Sequence, residues 1–90
     1  MLIRNLSSVK KKFDIVIIGA GPAGISLALE LEKKKFSIAL IEAGGRDYSL
    51  ESQNKYKGEL EGEFPKKPDV SRLRMLGGTT GHWGGTCRPL

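Results

Sequence analysis

Cysteine and histidine are nearly missing from this chain, with one of each, Cys87 and His82, in ninety residues. A lone thiol excludes an internal disulfide, and no metal-ligand cluster can be built from it. No apolar run approaches the roughly twenty residues that a membrane helix needs. The first twelve residues lack the apolar stretch of a signal peptide, and their lysines follow the weakly apolar part instead of preceding it. A cytoplasmic protein is the default expectation. No basic patch is interleaved with aromatic residues, so nucleic acid is not an expected partner. The formal charge of +5 comes largely from two lysine triplets, Lys10–Lys12 and Lys33–Lys35. Both read as solvated faces, and the second lies where a first helix should end, where cations complement the negative end of its dipole.

Against these absences stands one dense motif. Gly19-Ala20-Gly21-Pro22-Ala23-Gly24 follows directly on the apolar run Phe13–Ile18, and Glu42 closes a second apolar run, Ser37–Glu42, eighteen residues past Gly24. Strand, glycine-rich turn, helix, strand and acid in that order describe a dinucleotide-binding βαβ unit. Each glycine has its own task. Gly19 permits the tight turn, Gly21 lets backbone N–H groups come close to a pyrophosphate, and Gly24 lets the helix pack on the strand. Pro22 suits a first helical turn, where a missing N–H costs nothing. Glu42 is placed to accept hydrogen bonds from a ribose hydroxyl pair, and its charge disfavours a 2′-phosphate. Ala23, Leu27, Ala28 and Leu31 recur at helical spacing and predict the face that packs on the sheet, with the small Ser26 keeping the helix near the strand.

The expected fold is therefore α/β, a Rossmann-like FAD/NAD(P)-binding βαβ unit. A dinucleotide fold normally has about five or six strands, and a parallel sheet needs both faces covered. Two strands leave the parallel sheet incomplete. The chain reads as a flexible segment 1–12 followed, over 13–90, by the amino-terminal part of a nucleotide-binding domain. It is either a piece of a larger protein or a truncated remnant. Residues 48–57 are polar and could hold a short helix, and 58–69 read as an excursion without regular structure.

The carboxy-terminal stretch is the second informative region. Gly77-Gly78-Thr79-Thr80-Gly81-His82-Trp83-Gly84-Gly85-Thr86 holds five glycines in its first nine positions, which disfavours a helix or strand interior. Such a loop is useful where backbone must pass very close to something else. Arg72 and Arg74 precede it and Arg88 follows; backbone N–H groups with the hydroxyls of Thr79, Thr80 and Thr86 could form an anion-binding nest. A flexible surface loop is the plainer alternative, and Trp83 argues against it, since a large apolar side chain seldom sits in an idle linker. Cys87, with no activating neighbour but Arg88, reads as a structural thiol.

The pairing of GAGPAG…IEAGG with RMLGGTTGHWGGTCRPL resembles the glucose–methanol–choline (GMC) family of flavoprotein oxidoreductases, closest to its sugar and polyol oxidase and dehydrogenase branch. The resemblance covers residues 13–47 and 72–90. It implies that Gly19, Gly21, Pro22, Ala23 and Gly24 line the pyrophosphate of FAD, with the positive end of the helix pointing at that charge. It further implies that Glu42 holds the adenosine ribose, with Ala43 and Gly44 beside the adenine. Gly77 and Gly78 would approach the diphosphate and ribityl chain, so that the two motifs converge. Thr79, His82, Trp83, Gly84 and Gly85 would lie near the flavin. A histidine of this motif is bonded covalently to the flavin in part of the family; for His82 both a covalent link and a loop-structuring role stay open.

The activity implied is hydride transfer from a CH–OH group of an alcohol or sugar to flavin N5, while a protein base takes the hydroxyl proton. In this family that base is a histidine in the carboxy-terminal part, so no catalytic residue is assigned within these ninety positions. Two other readings are carried beside it: a non-catalytic nucleotide-binding remnant, completed by a partner chain, and an NAD-dependent dehydrogenase fragment, which Glu42 fits equally well.

Overall fold

Ile15-Val16-Ile17-Ile18 is an unbroken β-branched run, stiff at χ1 and suited to a pleated surface. In the computed structural model, which describes residues 2, 3, 5, 7, 9, 12–63, 66–82 and 84–85, this run forms β1 (Ile15–Ile18). It pairs in parallel with β2 (Ile38–Ile41), in a register that runs from Ile15↔Ile38 to Ile18↔Ile41. Both strands are shorter than the apolar pattern predicts, and at their start polar side chains join the backbone bonds that Asp14 N and Ile15 N donate to the Ser37 carbonyl at 3.0 and 3.2 Å. Ser37 N and Oγ both donate to Asp14 Oδ2 at 2.7 Å, while Asp14 N donates to Ser37 Oγ at 3.0 Å. This clasp aligns the two strands before the regular ladder begins. At the other end Gly19 N donates to the Ile41 carbonyl at 2.8 Å, and Glu42 leaves the ladder.

Between the strands runs α1 (Pro22–Lys33), which starts at Pro22 as the sequence predicts. Its inward face is a correction to the periodicity: Gly24, Ile25, Ala28 and Leu31 are partly buried, whereas Ala23, Ser26 and Leu27 are exposed. The cause is the closeness of the helix to the turn. A Cβ built on Gly24 would stand 2.0 Å from the Gly19 carbonyl oxygen. That approach turns the helix so that Gly24, and not Ser26, is the small residue at the crossing.

The helix ends with Lys34 N and Lys35 N donating to the Leu31 and Glu32 carbonyls at 3.0 and 2.9 Å. Lys35 then takes φ +64°, a left-handed conformation that costs a residue with a Cβ about 1–2 kcal/mol. Glycine is the usual occupant of such a position. Lys35→Gly is expected to raise stability by roughly 1 kcal/mol, measured as a rise in the urea midpoint with unchanged slope. An unchanged midpoint would mean that the turn is not left-handed in solution. Among the described residues one ion pair is formed, Lys33 with Glu30, on an exposed face where such pairs contribute little.

The core is small. Among the described residues the buried apolar side chains are Ile17, 9% exposed, and Ala20, 1% exposed. Ile17 lies between α1 and the sheet and Ala20 in the turn beyond β1. The opposite face of the sheet stays bare, with Val16 and Ile41 about half exposed and Ile18 86% exposed. The architecture is α/β and Rossmann-like, with a parallel sheet covered on one side, as expected from the sequence.

After β2 the chain forms α2 (Leu50–Gln53), capped by Ser49 Oγ accepting from Ser52 N at 3.2 Å, and then a 3-10 turn, Asn54–Tyr56. Both fall in the polar segment expected to hold a short helix. Regular structure also enters the predicted excursion, because α3 (Pro68–Ser71) begins at a proline preset for a first helical turn. A second departure is the 3-10 turn Gly78–His82, in a stretch whose glycines disfavour helix. It is held locally: Thr80 Oγ donates to the Gly77 carbonyl, and Gly78 N donates to that of Met75 at 2.9 Å. No helix among the described residues is long and apolar enough to cross a membrane.

Candidate functional site

The glycine-rich turn opens into a cleft of about 540 Å³, within the range of small-molecule sites. Gly19, Gly21, Pro22 and Glu42 form one wall. The other comes from the second half of the chain, where Tyr56, Arg72, Leu73, Met75, Gly78 and Thr79 line it.

The three glycines of the turn stand in different surroundings. Gly19 has φ +102°, outside the range an ordinary residue adopts comfortably. At Gly21 an added Cβ would meet nothing within 4 Å, so the space in front of the turn is open. Gly24 is the close crossing described above. The start of α1 carries no competing group: Gly21 is the N-cap without a side-chain cap, and no acid stands in the first turn. Pro22 has no N–H, while the N–H groups of Ala23 and Gly24 have no intrahelical partner, which leaves two donors and the positive dipole end facing outward. An anionic group such as a nucleotide diphosphate fits this arrangement.

Glu42 has a second task that the motif did not disclose. Its Oε2 accepts from Ala20 N at 2.8 Å and its Oε1 from Gly44 N at 2.7 Å, so the carboxylate ties the turn to the chain beyond β2. Each oxygen keeps a further lone pair for a hydroxyl. Glu42→Gln puts an NH₂ group against one of these two amides. It is therefore expected to lower stability without ligand by about 2 kcal/mol, one charge-assisted bond. A urea melt of the ligand-free variant checks this; a wild-type midpoint would restrict Glu42 to ligand contact.

The tail is brought to the turn entirely by backbone. Gly45 and Met75 form a parallel bridge, Leu76 N donates to the Gly45 carbonyl at 2.9 Å, and Gly77 N donates to that of Ala20 at 2.8 Å. Gly44 lies so close to this segment that a Cβ would stand 2.2 Å from the Arg74 carbonyl oxygen. A Cβ on Gly78 would stand 3.2 Å from Gly21 Cα, and Gly78 has φ +57°. The two motifs meet, as the resemblance implies. The meeting does not extend to the end of the tail. His82, Gly84 and Gly85 are exposed and do not line the cleft, and Ala43 is exposed beside it. Trp83, Thr86, Cys87 and Arg88 lie outside the described residues.

Gln53 and Tyr56 are the residues that sequence reasoning missed. Gln53 is 6% exposed and clamps the second wall: its Nε2 donates to the Asp69 and Arg72 carbonyls at 2.8 and 2.6 Å, and its Oε1 accepts from Arg74 N at 3.0 Å. No periodicity marks either position; the partners of Gln53 are distant in the sequence, and Tyr56 is identified only by lining the cleft.

A parallel βαβ unit with this turn, this bare helix start and an acid at the end of its second strand defines a nucleotide-binding unit of Rossmann type. The family model described as pyridine nucleotide-disulphide oxidoreductase matches residues 13–68, more than half of the chain. The chain belongs to that family, whose members bind FAD or NAD(P). No curated protein and no solved structure matches it. The ninety residues hold one cysteine, which excludes a disulphide within them.

Proposed function

We propose that the cleft binds FAD, and that the chain is the nucleotide-binding portion of a flavin oxidoreductase acting on CH–OH groups of alcohols or sugars. The observation that carries the choice of nucleotide is the contact of Gly77 and Gly78 with the Ala20–Gly21 turn. The βαβ unit alone suits FAD and NAD equally; a second glycine-rich stretch seated on it matches the GMC-like pairing of motifs, which belongs to flavoproteins. Gly21, Ala23 and Gly24 face the diphosphate, Glu42 accepts from the adenosine ribose, and Gly44 with Ala43 flanks the adenine. Gly78 and Thr79, which line the cleft, run along the diphosphate toward the flavin, and Gly77 holds them against the turn. When bound, FAD supplies an acceptor for the hydride of the CH–OH carbon. No described residue is assigned as the base that takes the hydroxyl proton; His82 is exposed and does not line the cleft.

Titration of the full chain with FAD and with NAD⁺, followed by calorimetry, tests the assignment. FAD is expected to bind at least roughly tenfold more tightly, a difference of about 1.4 kcal/mol. Tighter binding of NAD⁺ would transfer the site to a dehydrogenase, and binding of neither would end the nucleotide reading.

A further inference from the structure

The two arginines that precede the tail have different fates. Arg74 is committed, its Nη1 donating to Ser52 Oγ at 2.7 Å and its backbone N held by Gln53. Among the described residues Arg72 is the one cation that lines the cleft, and its guanidinium has no partner among them. Its main chain is nonetheless fixed on both sides: N donates to the Pro68 carbonyl at 2.9 Å, and O accepts from buried Gln53 at 2.6 Å. The residue is an anchored stem with a free charged end.

Gly21 and Pro22, at the bare start of α1, line the same cleft, and the other formal charge among its described lining residues is Glu42, whose oxygens rest on backbone amides. A helix start offers about half a positive charge, far short of the roughly two negative charges of a nucleotide diphosphate. A guanidinium supplies a full charge in a planar fork that matches phosphate oxygens two at a time.

The geometry points to Arg72 as a diphosphate-gripping residue, its guanidinium adding a full charge to the start of α1 in the cleft that both line. This rests on the reading of the cleft as a nucleotide site and adds a contact from beyond the segment that the family model matches. It makes the site selective for nucleotides with two linked phosphates over the nucleoside alone.

The test compares ADP, adenosine and FAD as ligands of the full chain by calorimetry at one low salt concentration. Arg72→Ala is expected to weaken ADP and FAD at least roughly tenfold and to leave adenosine unchanged, with Arg72→Lys recovering part of the loss as a point charge. Lys66→Ala removes a cation that lines the neighbouring cavity with Arg72, and is expected to leave ADP binding as it is. If the wild type binds neither ADP nor FAD, the nucleotide reading itself falls. If the wild type binds and Arg72→Ala binds ADP equally well, or loses ADP and adenosine equally, the role of Arg72 is overturned while that reading stands. Arg72→Gln, which keeps most of the stem, repeats the comparison should circular dichroism find the alanine variant unfolded.

Discussion

Gly24→Ala should cost about 3 kcal/mol or more, because no side chain can move to make room for the new methyl group. The overlap is with backbone: the Cβ would stand 2.0 Å from the Gly19 carbonyl oxygen and 3.5 Å from Ile17 Cγ2. Gly19 is itself held, since its N–H is bonded to the end of β2. Relief therefore requires α1 to lift off β1, which opens the space around Ile17, one of two buried apolar side chains among the described residues. The usual helical advantage of alanine over glycine, about 1 kcal/mol, acts the other way and is too small to offset this. Thermal melting followed by circular dichroism gives the measurement. A midpoint at or above the wild-type value would show that α1 does not cross the turn this closely.

Gly44→Ala should have a comparable size but a different reach. The new Cβ would lie 2.2, 2.4 and 2.6 Å from Arg74 O, Arg74 C and Met75 N, all main-chain atoms. The strain falls on the seam between the βαβ unit and the tail and not inside the unit. The tail should separate, with loss of the bonds from Leu76 N to Gly45 and from Gly77 N to Ala20. Two backbone bonds and the relieved overlap amount to about 3 kcal/mol, or roughly a hundredfold faster amide exchange. Hydrogen exchange resolves the pattern: the Leu76 and Gly77 amides should lose protection while those of β1 and β2 keep theirs. Uniform loss across both regions, or no loss at Leu76 and Gly77, would contradict this division.

The βαβ unit was legible because its signals are local. A β-branched run, a glycine at each of three fixed offsets and a proline at the first helical position act within a few residues of where they stand. The inward face of α1 was misread over Ala23 and Leu27 because periodicity sees residue type and not the distance of approach, which Gly24 sets here. Strand ends were overrun for a related reason: Asp14 and Ser37 satisfy each other with side chains, a pairing invisible to apolar patterning. Gln53 could not be found at all. It sits in a polar segment, and its partners Asp69, Arg72 and Arg74 lie sixteen to twenty-one residues away. The meeting of turn and tail was expected through resemblance to a family; nothing in the spacing of the residues alone required it.

Ala20, the least exposed apolar residue among those described, gives its amide to Glu42 and its carbonyl to Gly77. The glycine-rich turn is thereby tied at Ala20 to both β2's end and the tail with no ligand bound. Ordering a backbone residue costs about 1–2 kcal/mol, and here that entropy is lost during folding and not on ligand capture. Such preorganisation removes any slow closing step, so association should proceed in a single phase at a rate set by diffusion and orientation.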